Sequence, residues 1–165
     1  MDGDFNPRHA SARSYRYVIP SEGLDIDLAR ECAKLFIGEH DFVRFCRPDG
    51  KPTVATVDSI DVSAEGETIV LTYRARFFLW NMVRRTAAAI ISVASGRSSL
   101  DDVRSALEGE DINFGVARAD ALTLTSVEYE GLDFTPSSSS VLSERVDECT
   151  FSADLRRGFY TALQD

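Results

Sequence analysis

Apolar and polar residues alternate along four short segments of the chain, and this period of two predicts β-strands. The first segment runs from Ser14 to Pro20 and is rich in aromatic and β-branched residues. Two more, Thr53 to Val62 and Thr68 to Phe77, are joined by a connection that contains Gly66, so they should form a hairpin. A further strand is predicted from Leu122 to Tyr129.

Other segments carry apolar residues at helical spacing. A helix is predicted from its capping residue Asp25 to about Ile37, and Gly38 should end it. The S-x-x-D spacing that starts at Ser99 is a weak capping-box signal and predicts a short helix to Leu107. These two helices alternate with the predicted strands along the chain.

The clearest helix is predicted from Phe78 to Ala94, with Gly96 closing it. At 100° per residue, one stripe of this helix should be buried. Its members are Leu79, Met82, Val83, Thr86, Ile90 and Val93. Arg84 falls at the edge of the buried stripe, where its guanidinium group can reach a groove.

Helices mixed with antiparallel hairpins predict the α+β class, as an antiparallel sheet with helices packed mainly on one face. The 165 residues suffice for one ordinary domain but not for two domains with a linker. We expect this domain to cover residues 1–135. Residues 136–165 should form a surface loop, with Pro136 and four serines, and a final helix from Ala153 to Leu163, packed on the same domain.

The charge balance is unusual. The chain has a net charge of −9, and only two of its 18 basic residues, Lys34 and Lys51, are lysines. This composition is typical of a surface that stays in solution in strong salt, so a halophilic source is expected, with an ordinary acidic protein as the alternative. No apolar run reaches membrane-spanning length, and Met1 to Arg8 carries no secretory signal, so a cytoplasmic protein is expected.

Residues that could bind a metal are few and scattered. Cys32, Cys46 and Cys149 are odd in number and lack C-x-x-C spacing, which favours free thiols over disulfides or a zinc site. His9 and His40 are far apart in the sequence and are expected to have structural roles. Neither a metal nor an organic cofactor is expected.

One segment differs from the acidic remainder. Between Thr68 and Leu100 there is no acidic residue, and five arginines are interleaved with aromatic residues. The arginines are Arg74, Arg76, Arg84, Arg85 and Arg97. Guanidinium groups beside aromatic rings suit a phosphate backbone with unstacked bases, so a polyanion site is favoured. For any single arginine, an ion pair within the fold remains the alternative.

Four motifs carry a resemblance to a known family. They stand in the order found in that family. The first motif is D-F-N-P-R from Asp4 followed by A-R-S-Y-R-Y from Ala12, and the others are G-E-H-D-F from Gly38, F-F-L-W-N-M-V-R-R from Phe77 and A-D-A-L-T-L from Ala119. Together they resemble the tRNA pseudouridine synthase A family over residues 4 to about 130.

The resemblance implies that the chain is one half of a two-lobed fold. The family's G-R-T-D motif, whose aspartate is the catalytic residue, lies upstream of the first matching motif and is absent from this sequence. The chain therefore resembles the C-terminal half, and Met1 is expected to be an artificial or alternative start. On this basis the chain alone should be inactive and should need an N-terminal half as partner.

The resemblance also implies roles for individual residues. Tyr15 matches the tyrosine that stacks on the flipped uridine, and Arg84 matches the helix arginine that pairs with the catalytic aspartate. Leu122 matches an apolar residue near the base. The expected contacts with tRNA come from Arg13, Arg74, Arg76, Arg85 and Arg97. For Tyr15 and Leu122, an ordinary place in the core remains the alternative.

The function that follows from the resemblance is isomerisation of uridine to pseudouridine in the anticodon stem and loop of tRNA, by a homodimeric enzyme. Two alternatives remain open. The chain could be a non-catalytic RNA-binding module that uses the same basic surface, or a protein interaction domain without an RNA role.

Overall fold

A computed structural model describes residues 9–132, 148–150 and 152–153. Contacts within the chain separate two units, Met1–Leu132 and Asp133–Asp165. In the second unit, residues 148–150 and 152–153 are helical. The predicted loop at Pro136, and the predicted final helix beyond Ala153, lie outside the described residues.

The first unit belongs to the α+β class, as predicted. In chain order its elements are β1 (Ala12–Pro20), α1 (Ile26–Lys34), β2 (Gly38–Asp41), β3 (Val54–Val57), β4 (Ser59–Glu65), β5 (Thr68–Ala75), α2 (Met82–Ala94), α3 (Leu100–Leu107) and β6 (Leu122–Glu128). A four-stranded antiparallel sheet has the order β4-β5-β1-β6, and β2 pairs with β3 in a separate two-stranded sheet.

The two faces of the four-stranded sheet differ in composition. Residues that are directly opposite in an antiparallel pair share a face, so the pairs Tyr17–Leu71 and Ile19–Ile69 lie on one side. All four are buried in the core, together with residues of α1, α2 and α3. We call this side the helix face. The opposite side, the far face, carries Arg16 and the other residues that alternate with the core positions.

The hairpin between β4 and β5 is confirmed, and its turn contains Gly66 at φ +60°. The predicted strand from Thr53 to Val62 is wrong in one respect, because it is interrupted at Asp58. There the backbone N–H of Asp58 donates to the carbonyl of Arg74 at 2.8 Å, and the two halves pair with different sheets. The strand β2, which pairs with the first half, was not predicted because its four residues show no apolar alternation.

The helix α1 begins as predicted. The Asp25 carboxylate accepts hydrogen bonds from the N–H groups of Asp27 at 2.9 Å and Leu28 at 3.1 Å. The helix is shorter than predicted, since it ends at Lys34, and Gly38 begins β2 at φ +100° instead of closing the helix. After Lys34 the backbone continues in tighter three-residue turns, which direct Phe36 into the core.

The helix α2 starts at Met82, four residues later than predicted. Its predicted stripe is buried from Met82 onward, whereas Leu79 lies before the helix and is half-buried. Alanines extend the buried surface around the helix, at Ala87, Ala88, Ala89 and Ala94. The helix α2 therefore lies at the centre of the core, with little of its surface exposed.

The capping box of α3 is present. The Ser99 hydroxyl accepts from the N–H of Asp102 at 3.1 Å, and the Asp102 carboxylate accepts from the N–H of Ser99 at 2.7 Å.

The three cysteines are free thiols: Cys32 and Cys46 are buried, and Cys149 is exposed. Burial raises the pKa of the Cys32 thiol to about 12, so this residue acts as a small apolar core side chain.

Candidate functional site

Three residues singled out in the sequence line one cavity. Tyr15 from β1, Arg84 from α2 and Leu122 from β6 border a space of about 410 Å³, which we call the Tyr15 cavity. Residues 78–81, from the segment between β5 and α2, form another of its walls. Residues far apart in the sequence are therefore brought together on the helix face of the sheet.

Tyr15 is held at the cavity by its strand and by a neighbouring ring. Its ring meets Phe78 edge-on, with centroids 5.1 Å apart and planes at 89°. The register between β1 and β6 shifts between Ser14 and Tyr15, where β6 contains the additional residue Thr125. The Thr125 hydroxyl donates to the Ser14 carbonyl at 3.1 Å. Such bulges redirect side chains beside functional sites, and Tyr15 is the residue at this one.

Arg84 is fixed from two sides. Its Nε donates to the carbonyl of Ala117 at 2.7 Å, and one terminal nitrogen, Nη1, lies 3.4 Å from the side-chain oxygen of Asn81. The N–H of Ala117 donates back to the Arg84 carbonyl at 3.1 Å. Among the described residues, no carboxylate pairs with this guanidinium and its Nη2 has no hydrogen-bond partner. One edge of the guanidinium therefore remains available to an anion.

Asn81 has an unusual backbone conformation. Its φ is +62°, and it is the non-glycine residue with positive φ among those described. Asn81 precedes α2, but its side chain makes no capping bond to the helix and instead faces Arg84. Asparagine is among the few residues that tolerate this region, and such outliers are common at functional sites. The strain at Asn81 places its amide oxygen beside the Arg84 guanidinium.

Leu122 is half-buried at the start of β6, opposite Tyr17. The Tyr17 hydroxyl donates to the carbonyl of Arg118 at 2.8 Å, which fixes the segment leading to Leu122. Burial raises the pKa of the Tyr17 hydroxyl, and the charge of Arg84 acts in the opposite direction. Tyr17 therefore remains a neutral donor with a structural role.

The described lining of the Tyr15 cavity contains a cation and no carboxylate. Asp120 follows the wall residue Ala119 in the sequence but lines a separate cavity of about 680 Å³. Arg118 donates a hydrogen bond of 2.5 Å to Asp120 and lowers the pKa of its carboxyl group. The Asp120 carboxylate therefore stays ionised, is paired with Arg118, and lines the separate cavity.

Comparison with known proteins identifies the family. A sequence model described as tRNA pseudouridine synthase matches residues 32–130. The tRNA pseudouridine synthase A of Pyrococcus abyssi is 38% identical over 135 residues, which are 79% of this chain and 51% of that protein. The chain belongs to the tRNA pseudouridine synthase family.

Two further relatives carry the same name. The protein from Methanosarcina mazei is 40% identical over 130 residues, covering 76% of this chain and 48% of its own length. The protein from Pyrobaculum aerophilum is 41% identical over 107 residues, covering 63% of this chain and 42% of its own length. The chain spans about half the length of the curated relatives it matches.

The arginines expected to contact tRNA in this family member are distributed over the fold. Arg13 lies near the Arg76 backbone, since its Nη1 donates to the Arg76 carbonyl at 2.7 Å, and Arg76 is exposed. Arg74 is on the far face, where both terminal nitrogens bind the carboxylate of Glu128. Arg74 therefore forms an ion pair within the fold, which is the alternative to RNA contact for any single arginine of the basic segment.

The remaining two arginines lie on or after α2. Arg85 follows Arg84 in the helix, and its buried Nε has no hydrogen-bond partner among the described residues. Arg97 is exposed beyond the other end of α2, about 20 Å along the helix axis from Arg84 at 1.5 Å per residue. Arg97 therefore does not join the Tyr15 cavity.

Sequence reasoning missed two residues of the site. The prediction places Asn81 inside a helix, whereas it precedes α2 in a left-handed conformation, which asparagine tolerates. The predicted helix also includes Phe78, which in the structure precedes α2 and packs against Tyr15. Their contacts depend on β1 and α2 meeting in three dimensions, so the linear pattern carried no direct signal for them.

Two other findings concern the described part of the chain. It contains no cluster of three histidine, cysteine or acidic side chains arranged to hold a metal ion. Its helices also lack the combination of length and apolar character that crossing a membrane requires.

Proposed function

We propose that this chain is the uridine-binding half of a tRNA pseudouridine synthase. The observation that supports this most directly is the convergence of the Tyr15 ring, the Arg84 guanidinium and the Leu122 side chain on one cavity. The cavity offers an aromatic wall, an apolar contact and an oriented cation. These are the groups that a uridine base and a catalytic carboxylate beside its ribose would need.

The proposed reaction is an isomerisation. The C1′–N1 bond of uridine breaks, a C1′–C5 bond forms, the C5 proton leaves and N1 gains a proton, so the atoms balance without a cofactor. A carboxylate must act near C1′, and the base must be held while it turns. Tyr15 would stack on the base and Leu122 would contact its edge.

Arg84 would act through the carboxylate. Its Nε is engaged by the Ala117 carbonyl and its Nη1 faces Asn81, so the guanidinium plane is fixed before any ligand arrives. A carboxylate that met the free edge would be held ionised and correctly oriented. We propose that this carboxylate is the aspartate of an N-terminal half that is not part of this sequence.

The substrate is proposed to be the anticodon stem and loop of tRNA, acted on by a homodimer in the cytoplasm. The target uridine must leave its stack to reach a cavity of this kind, and single-stranded loops permit this at low cost. The 16 aspartates and two lysines support a working environment of concentrated salt. In such salt, stacking and direct hydrogen bonds would contribute more to binding than counterion release.

The experiment is complementation. The 165-residue chain is mixed with tRNA, alone and with a separately produced N-terminal half from a relative such as the Pyrococcus abyssi protein, and pseudouridine is measured by nucleoside chromatography. We expect none from either half alone and formation from the mixture. Pseudouridine formed by this chain alone would contradict the assignment of the catalytic group.

A second candidate function is a non-catalytic RNA-binding module, favoured by the lack of a carboxylate in the described cavity lining. Tyr15→Phe and Tyr15→Ala separate the two functions. If the Tyr15 hydroxyl assists proton transfer at C5 while the ring stacks on the base, both variants lose turnover in the mixture, while Tyr15→Phe keeps RNA affinity within a few-fold. A module would lose affinity with Tyr15→Ala and show no turnover with any partner.

A further inference from the structure

A second cavity adjoins the Tyr15 cavity. It measures about 430 Å³ and shares three wall residues with the Tyr15 cavity, Phe78, Leu79 and Trp80. We call it the Trp80 cavity. The proposed uridine site is the Tyr15 cavity and leaves the rest of the Trp80 cavity without a role.

The aromatic residues at this cavity are unusually exposed. Trp80 is 55% exposed and Phe77 is 43% exposed, although large aromatic side chains are normally mostly buried. The Arg47 guanidinium lies over the indole of Trp80, 4.1 Å from the ring centroid. The N–H of Arg47 also donates to the Trp80 carbonyl at 2.7 Å, so backbone and side chain hold the two residues together. The exposed aromatic surface is therefore fixed in place.

Among the described residues that line this cavity, the cations Arg47 and Lys51 outnumber the anion Asp49. Among the described residues Arg47 has no carboxylate partner, and its exposed guanidinium is held only by the indole. Lys51 pairs with Asp49 at 3.3 Å, and the hydrogen bond from Lys51 lowers the pKa of the Asp49 carboxyl group. This leaves one unpaired guanidinium, a local positive excess in a chain of net charge −9.

We propose that the Trp80 cavity binds the nucleotide adjacent to the target uridine. The base would stack on the exposed part of the indole, and Arg47, with Lys51, would bind the phosphate. A shared wall from Phe78 to Trp80 suits two consecutive nucleotides, one in each cavity. The inference rests on the proposed function, because it assumes that the Tyr15 cavity receives the uridine.

Trp80 is the only tryptophan in the chain, so its emission reports on ligands that reach the wall between the two cavities. The probe is an anticodon stem–loop RNA with a dye at the end of its stem, titrated with the full chain while dye anisotropy reports binding. In parallel, unlabelled RNA is added to the chain and the tryptophan emission is followed. A fully paired duplex of the same length is the control RNA.

We expect the stem–loop to quench Trp80 over the same concentration range in which anisotropy reports binding, and the duplex to quench it less. Binding of the stem–loop with unchanged emission would overturn the inference and leave the proposed function standing. Absence of any stem–loop binding at all tested salt concentrations would overturn both.

Variants give a second test. Trp80→Ala should weaken stem–loop binding about tenfold to a hundredfold, the range expected for losing one stacked base, whereas Trp80→Phe should stay within a few-fold. Arg47→Ala should reduce the slope of log affinity against log salt by about 0.7, as expected for one lost phosphate contact. Arg104→Ala is the charge-matched control, because Arg104 pairs with Asp101 within α3. Equal effects of Arg47→Ala and Arg104→Ala would contradict the proposal.

Discussion

The two faces of the four-stranded sheet use arginines from nearby sequence in different ways. On the far face, Arg74 binds Glu128 with two nitrogens and Arg16 pairs with Glu65 at 2.5 Å. On the helix face, Arg84 is held by a carbonyl and an amide oxygen, and no described carboxylate neutralises it. The basic segment from Thr68 to Leu100 thus supplies both a structural cation, Arg74, and a cation available to a ligand, Arg84.

This difference shows what charge alone cannot reveal. Arg74 and Arg84 lie ten positions apart in the same acid-free segment, so composition treats them alike. Their roles separate because Arg74 alternates onto the far face of β5, within reach of β6, while Arg84 projects from α2 towards the Ala117 segment. Four predictions test this distinction between the faces.

The largest expected effect is on stability, in two neighbours on β5. Leu71 is fully buried on the helix face and Thr72 is exposed on the far face. Leu71→Ala should lower the free energy of unfolding by about 2–5 kcal/mol, and Thr72→Ala should change it by less than about 0.5 kcal/mol. Urea denaturation followed by circular dichroism measures both. Equal losses would mean that the helix face is not the main core.

Next is the effect of Arg84→Lys on turnover in the complemented enzyme. Lysine keeps the charge but cannot bind the Ala117 carbonyl and a carboxylate in one rigid plane. We expect pseudouridine formation to fall about 100-fold, since small misplacements of catalytic groups cost this much. Arg74→Lys is the matched control and should keep turnover within a few-fold. Similar losses in both variants would remove the distinction between the two arginines.

A smaller effect is expected at Asn81. Asn81→Ala should lower the free energy of unfolding by about 1 kcal/mol, because alanine is strained at φ +62°, whereas Asn81→Gly should be neutral or stabilising. Both variants remove the oxygen beside Arg84, so both should reduce turnover in the complemented enzyme. Thermal unfolding and turnover are measured on the same preparations. Full turnover in Asn81→Gly would show that this oxygen does not orient Arg84.

The smallest effect is the pH dependence of the far-face pair. The hydrogen bond from Arg74 lowers the pKa of the Glu128 carboxyl group in the folded state. The Arg74–Glu128 pair therefore stabilises the fold fully above the pKa of a glutamate in the unfolded chain, about 4.3. This contribution is lost as the pH falls through the lower pKa of Glu128 in the folded state. Glu128→Gln should be slightly less stable than the parent at pH 7, and the difference should shrink below about pH 4. A difference that grows in acid would contradict this sign.

Much of the fold followed from the sequence, because local signals agreed with the final contacts. The Asp25 cap, the Ser99 capping box and the Gly66 hairpin were predicted from turn and cap chemistry and are present. The start of α2 was not predicted correctly, because the apolar residues from Phe78 to Trp80 continue the helical pattern. There the left-handed Asn81 and the hydrogen bond from Arg47 to the Trp80 carbonyl interrupt the helix.

The candidate site was only partly accessible from the sequence. Tyr15, Arg84 and Leu122 were named through the family resemblance, and their convergence on one cavity depends on the pairing of β1 with β6 and on the position of α2. Asn81 and Arg47 were not singled out, because their partners are distant in sequence or set by backbone strain. Spacing alone could not have distinguished Arg84 from Arg74.

The central claim is that RNA presents its target uridine to the helix face at Tyr15. The most direct measurement is photo-crosslinking of an anticodon stem–loop that carries 4-thiouridine at one loop position, with the crosslinked residue mapped by tandem mass spectrometry. We predict crosslinks at Tyr15, Leu122 or their neighbours in the cavity wall. Crosslinks at Thr72 or Glu65 on the far face, with none in the cavity, would contradict the account.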